Sequence, residues 1–265
     1  MSKIRITSRI LIYLPAYNCK KIAADTLRRI PSAFRGHAEA LLVDNASPDG
    51  TAEVVKMSLQ ENPPKIPYQI IRTKRNLGYA GSQKLAYQIA LENSSVEYVL
   101  MLHADGQYPP ELATRFLEQC GGDADIVYGY RSKLRFGLKE ETPIFTFIAI
   151  RVLSIVESIL TLTFRKEWHT GYIMYRTSFL RKVPFQLITN TPHIDGHLLY
   201  AGKKLGANVR GIPIYKRYKN LVHFTGLDLV KYVITVLRLM FKLPLIKLNG
   251  IQPEKIFSDK DFDLI

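Results

Sequence analysis

Two carboxylates, Asp44 and Asp105, each stand just past a short apolar run in this sequence. Asp44 follows Ala40-Leu41-Leu42-Val43, and Asp105 follows Tyr98-Val99-Leu100-Met101-Leu102 by way of His103 and Ala104. A carboxylate at the end of a buried strand can hold a ribose hydroxyl, a base edge or a metal ion. Asp44 has a plainer role open to it as well, closing the turn toward Thr51. Gln107 adds an amide oxygen two residues past Asp105. Mg²⁺ takes oxygen ligands of this kind and keeps several waters, so one or two such groups suffice. His193-Ile194-Asp195-Gly196-His197 also gathers ligand-type side chains, but without a well-spaced third partner no metal is assigned to it. The two cysteines, Cys19 and Cys120, form no CxxC pair, so zinc ribbons and redox motifs are unsupported and reduced thiols are expected.

The elements that must carry these residues alternate. Ile10 to Leu14 predicts a buried strand, Lys20 to Ile30 a helix broken by Pro31, and Ala40 to Val43 a second strand. The turn-rich Asp44 to Gly50 leads to a helix over Thr51 to Gln60, capped by Asp49 or Thr51. Strands at 68–71, 98–102 and 126–128 follow, with helices at 79–92 and after Pro109-Pro110-Glu111. This order predicts a parallel α/β sheet. Ligands bind at the carboxyl ends of such strands. Polar loops follow three of them: Pro15-Ala16-Tyr17-Asn18, Asp44 to Gly50, and His103 to Gln107.

The second half differs. Ile144 to Phe164 is strongly apolar, with Arg151, Ser154, Ser158, Thr161 and Arg165 recurring at steps of three and four. That spacing places them on one helical stripe with a wide apolar face around the rest. Leu227 to Lys247 repeats the design with Asp228, Lys231, Thr235, Arg238 and Lys242. A helix with a broad apolar face and a basic stripe suits a membrane interface, and packing on the protein core is the plainer alternative. No window of about 20 residues is free of charge, so no segment reads as a spanning helix. The apolar run after the basic Met1 to Arg9 is too short for a signal-peptide core.

Four motifs in order carry a resemblance: Pro15-Ala16-Tyr17-Asn18, Val43 to Thr51, Arg75-Asn76-Leu77-Gly78, and Asp105-Gly106-Gln107-Tyr108-Pro109-Pro110. Together they resemble the family 2 glycosyltransferases, and within them the dolichyl-phosphate mannose synthase-like branch, over residues 10 to 215. The resemblance implies a GT-A fold, a UDP- or GDP-sugar donor, Mg²⁺ or Mn²⁺, and an inverting hexose transfer. It implies that Pro15, Tyr17 and Asn18 line the base and ribose pocket and that Asp44 contacts base or ribose. Asn45, Arg75, Gly78, His103 and Ala104 complete the implied donor side. Asp105 and Gln107 would hold the metal, with His223 as a late histidine ligand. Arg131 would face substrate phosphate, and His169 and Asp195 would lie on the acceptor side.

The sequence departs from the family pattern in two places. His103 stands where the usual Asp-X-Asp motif has its first aspartate. Imidazole suits Mn²⁺ better than Mg²⁺. His103 is read as touching donor sugar or phosphate, or as purely structural. In Trp168-His169-Thr170-Gly171-Tyr172, which resembles the acceptor segment, Glu167 is the nearest acid. His169 is read as taking the polar role there or as a satisfied loop histidine.

The chain of 265 residues is 47% hydrophobic and 11% aromatic, enough for one sizeable core. Its net charge of +14 attracts anions. The basic residues are scattered and no nucleic-acid motif is present, so a phosphorylated substrate and an anionic membrane surface are the expected partners. Residues 1–222 are expected to form the catalytic domain, with an amphipathic insertion at about 143–165, and 223–265 a membrane-associating segment. The expected enzyme is peripheral, at the cytoplasmic face of a membrane, and acts on a polyprenyl phosphate. A glycan or glycolipid hydroxyl as acceptor, and a catalytically silent homologue, are the alternatives.

Overall fold

The computed structural model describes residues 4–218, 226–242, 248 and 250–265, leaving the side chains of 226–231 and 242 aside. In chain order the elements are β1 (Ile10–Ala16), α1 (Ala23–Arg28), β2 (Ala38–Asp44), α2 (Thr51–Glu61), β3 (Tyr68–Thr73), α3 (Gly78–Glu92) and β4 (Tyr98–Met101). Then come α4 (Thr114–Leu117), β5 (Ile126–Arg131), α5 (Lys133–Phe136), α6 (Ile144–Leu160), β6 (Ile173–Arg176) and α7 (Thr177–Leu180). The chain ends with α8 (Ile194–Lys204), β7 (Val209–Ile214), α9 (Gly226–Lys242) and β8 (Phe262–Leu264).

The strands form one sheet in the order β7-β5-β6-β4-β1-β2-β3-β8. β1, β2, β3 and β4 are mutually parallel, and β5 pairs parallel with β7. β6 lies antiparallel between β4 and β5, so β5 and β7 run the same way as the first four strands. Their carboxyl ends therefore share one edge. The sheet is buried on both faces. Along β1, Leu11 and Tyr13 join one core cluster while Ile10, Ile12 and Leu14 join the other. Side chains alternate along a strand, so a strand covered on both faces must be apolar at every position. That is why these strands read as unbroken apolar runs.

The amphipathic segments expected over Ile144 to Phe164 and Leu227 to Lys247 appear as α6, which stops at Leu160, and α9, which is described to Lys242, with 243–247 outside the described residues. On α6 the polar stripe faces inward: Ser154, Glu157 and Ser158 are buried, as is Thr161 just beyond. Ile144, Phe145, Ile148, Val152, Ile155 and Ile159 are exposed. α9 packs against α6. Val236 and Met240 are buried, whereas Ile234, Arg238 and Phe241 point outward. Among the described residues no helix is long and apolar enough to cross a membrane.

The expected helix over Lys20 to Ile30 is shorter, Ala23–Arg28. Residues 223–265, expected as a membrane-associating segment, also supply β8. It pairs antiparallel with β3 and buries Phe262, so the end of the chain belongs to the sheet.

Candidate active site

The carboxyl edge of the sheet opens into a cavity of about 320 Å³. β1 delivers Pro15 and, just past its end, Tyr17; β2 delivers Asn45; β4 leads to His103 and Asp105. Asn76 and, from α3, Gly78, Tyr79 and Ser82 complete the lining with Ala16 and Cys19. Six expected residues thus meet in one cavity: Pro15, Tyr17, Asn45, Gly78, His103 and Asp105. Tyr17 is half exposed, so its ring is available for stacking.

Asn45 organises this edge. Its Nδ2 donates to Asn76 Oδ1 at 2.9 Å and to the Gly78 carbonyl at 3.2 Å, and its Oδ1 accepts from Leu77 N at 2.8 Å. The Arg75-to-Gly78 loop is therefore tied to the end of β2. Asp44 lies beneath and is fully buried. Its Oδ1 accepts from Ser47 N at 3.1 Å, which is the turn-closing role. Its Oδ2 has no hydrogen-bond partner, and the Arg72 Nε lies 3.8 Å away. Burial pushes the Asp44 carboxyl up, against the pull of Ser47 and Arg72. The N-cap of α2 is Gly50, not the expected Asp49 or Thr51; Asp49 lies just before it, its Oδ1 accepting from Thr51 N at 3.0 Å.

The Asp105-Gly106-Gln107 turn has a local cause. Gly106 takes φ +72°, and a Cβ there would come within 3.1 Å of Ile22 Cγ2. With that turn Gln107 N donates to Asp105 Oδ1 at 2.9 Å. His103 Nδ1 is 4.0 Å from Asp105 Oδ2. Its Nε2 is 3.3 Å from the Tyr79 hydroxyl, and its ring meets Tyr108 edge-on. Burial drives His103 down to about 4, so the ring is neutral near neutral pH.

Other expected residues fall elsewhere. Asn18 is exposed at φ 52°, its N–H donating to Ser47 Oγ. Arg75 is exposed and outside the cavity lining. Ala104 is buried, its N–H donating to the Pro15 carbonyl. His223 lies outside the described residues. Arg131, expected to face phosphate, is buried against Glu167, with Nη2 to Oε1 at 2.5 Å. Its Nε donates to Glu167 Oε1 at 2.7 Å and its Nη2 to the His169 carbonyl at 3.0 Å. Burial works against its charge, but Glu167 keeps it protonated. The His169 side chain is buried beside Glu157 and Tyr232 and offers the cavity no free polar atom. Asp195 is buried under Tyr79 and accepts from Tyr79 Oη at 2.9 Å and Gln83 Nε2 at 2.6 Å. Burial pushes its carboxyl up to about 6.

Sequence reasoning missed Lys216. It follows β7, and its Nζ sits 5.0 Å from the centre of the Tyr108 ring. Burial and Arg131 push its ammonium down to about 8, while Asp105, Glu167 and Glu140 act to keep it charged. The signal was available: Tyr215-Lys216-Arg217-Tyr218 follows a strand-like Gly211-Ile212-Pro213-Ile214.

A mostly parallel sheet whose carboxyl edge gathers these loops around an aspartate is the architecture of the GT-A glycosyltransferases. The chain belongs to glycosyl transferase family 2, whose family description matches residues 11–184. It is 28% identical over 124 residues to a dolichol-phosphate mannosyltransferase of Pyrococcus furiosus, covering 46% of this chain and 33% of that one. The chain thus spans about a third of that relative's length. It is 26% identical over 207 residues to an undecaprenyl-phosphate mannosyltransferase of Micrococcus luteus, covering 78% and 82%. The fold is shared with glucosyl-3-phosphoglycerate synthase of Mycobacterium tuberculosis, solved with Mn²⁺, uridine-diphosphate-glucose and phosphoglyceric acid. That match has a TM-score of 0.61 at 14% identity, over 92% of this chain and 82% of the other.

Proposed function

We propose that this chain moves a hexose, with inversion, from a UDP- or GDP-sugar to a polyprenyl phosphate at the cytoplasmic face of a membrane, with Mg²⁺ or Mn²⁺ as cofactor. The observation that carries the acceptor is the outward apolar face of α6 beside the acceptor segment. Trp168 N and Nε1 donate to Ser154 Oγ at 3.3 Å and Ser158 Oγ at 3.0 Å, so the segment is fastened to the helix that offers Ile148, Val152, Ile155 and Ile159 to the outside. An isoprenoid chain needs such a surface; a water-soluble sugar does not. The named relatives act at dolichol and undecaprenyl phosphate, which supports the same class.

The residues at the cavity fit a hard divalent ion. Asp105 lines the cavity, Gln107 carries an amide oxygen two residues on across the same glycine turn though outside the cavity lining, and Asp105 Oδ2 lies 4.0 Å from His103 Nδ1. Such an ion, when bound, stabilises the diphosphate leaving group as a Lewis acid. The chain's own residues do the rest. Tyr17 offers a stacking face for the base, Asn45 holds the Gly78 loop against the donor, and Lys216 adds a cation beside Asp105.

The acceptor chemistry fits the groups available. A phosphate monoester, with a second pKa of about 6, is already largely dianionic at neutral pH and needs no protein base. A sugar hydroxyl needs one within hydrogen-bond reach. Among the described residues lining the cavity, Asp105 is the carboxylate and is assigned to the metal. The test measures nucleoside diphosphate release and product mass with undecaprenyl phosphate as acceptor. Turnover should require that lipid and the divalent ion, and Asp105→Asn should lose most activity while keeping its fold. A wild-type rate for Asp105→Asn, or product formed only on sugar hydroxyls, would overturn the reading.

A further inference from the structure

Away from the cavity, three ligand-type side chains from distant segments meet in the interior. They are Glu157 on α6, His169 in the loop before β6 and His193 at the start of α8. Their side chains are 0, 4 and 1% exposed. His169 Nε2 lies 2.7 Å from Glu157 Oε2, and His193 Nε2 lies 2.8 Å from Glu157 Oε1. Neither contact has the direction of a hydrogen bond. All four atoms are buried without a hydrogen-bond partner. The three ligand atoms lie mutually within 4.8 Å.

The far sides of both rings converge on one hydroxyl. Tyr232 Oη is 2.9 Å from His169 Nδ1 and 3.4 Å from His193 Nδ1. A phenol oxygen has a single proton to give, so it cannot donate to both rings and accepts from at least one of them. With the ring protons on Nδ1, donating to that hydroxyl, two Nε2 lone pairs face a carboxylate. In a dry interior such a set is costly unless a cation stands among its members.

We propose that Glu157, His169 and His193 form a binding site for a divalent transition metal of the zinc type, separate from the Asp105 position. Two imidazoles and one carboxylate suit Zn²⁺ and are a poor set for Mg²⁺. Tyr232 is the outer partner that orients both imidazoles. The ion joins α6, and through Tyr232 also α9, to the loop that carries Trp168 and Gly171. It thereby pins the two apolar helices to the acceptor side of the cavity.

The test strips the full chain with a chelator and titrates it with Zn²⁺ against a chromophoric competitor, counting bound metal by mass spectrometry. One Zn²⁺ per chain should bind, and Asp105→Asn should keep it. Tyr232→Phe should weaken it by about 10- to 100-fold, as expected for an outer partner, and His193→Ala and Glu157→Gln by more. Co²⁺ in place of Zn²⁺ should give a visible ligand-field band that His193→Ala abolishes; that variant keeps the helical carboxylate and serves if Glu157→Gln does not fold. The inference fails if wild type binds no stoichiometric Zn²⁺. It fails equally if His193→Ala binds Zn²⁺ as wild type does, or if Asp105→Asn alone removes it. The cluster is then a buried polar network only.

Discussion

At Lys216 charge and burial pull in opposite directions. Its ammonium stands over the Tyr108 ring, and that ring also meets His103 edge-on, so the lysine lies near the His103 side of the cavity. A lone cation there is available for a diphosphate or an acceptor phosphate, whereas Arg131 is held by Glu167 and the His169 carbonyl. A charge-assisted hydrogen bond is worth about 1.5–3 kcal/mol. Lys216→Ala should therefore lower kcat/KM by roughly 10- to 100-fold in steady-state kinetics, with an unchanged melting temperature. Lys216→Arg should recover part of the loss. Equal rates for wild type and alanine variant would remove Lys216 from phosphate binding. The contrast with Arg131 shows what single residues disclose. Asp105, Asn45 and Gly78 were legible because each sits in a short motif at a strand end. The partners of Arg131 and His169 were not, because Glu167, Glu157 and Tyr232 reach them only through folding.

At the scale of elements, α6 is the clearest case of a pattern read correctly but only in part. The steps of three and four in Arg151, Ser154, Ser158 and Thr161 define a stripe, and periodicity tells that the faces differ. It does not tell which face meets the protein. Here the polar stripe does, because Arg165 and Trp168 in the chain that follows supply donors for it. Ser158 Oγ accepts from Trp168 Nε1 at 3.0 Å and from Arg165 N at 3.2 Å, and donates to the Ser154 carbonyl at 2.7 Å. Ser158→Ala should leave the indole N–H and an amide unpaired in a buried site, at a cost of about 1–3 kcal/mol. Thermal unfolding should show the loss, and Ser158→Thr should be milder because it keeps the hydroxyl. A melting temperature equal to wild type for Ser158→Ala would mean that Trp168 is held by packing alone. The strands read from sequence were the long apolar ones. β6, β7 and β8 escaped: β6 is placed by its antiparallel partners rather than by its own composition, Gly211 and Pro213 interrupt β7, and β8 is three residues long.

Taken as a whole, the molecule exposes many large apolar side chains along one stretch of chain that also carries cations. Leu134, Leu138, Phe145, Ile148, Val152, Ile155, Ile159, Leu162 and Phe164 are exposed along α5, α6 and the turn after it. Ile234 and Phe241 add to them from α9, which packs on α6. Lys133, Arg135, Lys139, Arg165 and Lys166 flank the same stretch of chain, within a net charge of +14. Single exposed apolar side chains are ordinary, but a contiguous set rimmed by cations is what a protein presents to an anionic bilayer. The two contributions separate by salt. Each basic residue near such a surface is worth about 1 kcal/mol, and screening shortens its reach from about 10 Å at 0.1 M salt to 3 Å at 1 M. Apolar insertion is not screened. Vesicle co-sedimentation with anionic lipid should therefore show wild type binding strongly at low salt and more weakly, yet still measurably, at high salt. Replacing Ile148, Val152, Ile155 and Ile159 together by serine should abolish binding at both salt levels. It should leave the melting temperature near wild type, because those side chains make little of the core. The same variant should lose transfer to long-chain polyprenyl phosphate while still releasing nucleoside diphosphate with a short, water-soluble isoprenyl phosphate. Should the quadruple variant remain on the vesicles, or wild type stay in solution at low salt, α6 does not meet a bilayer, and its apolar face is covered by protein instead.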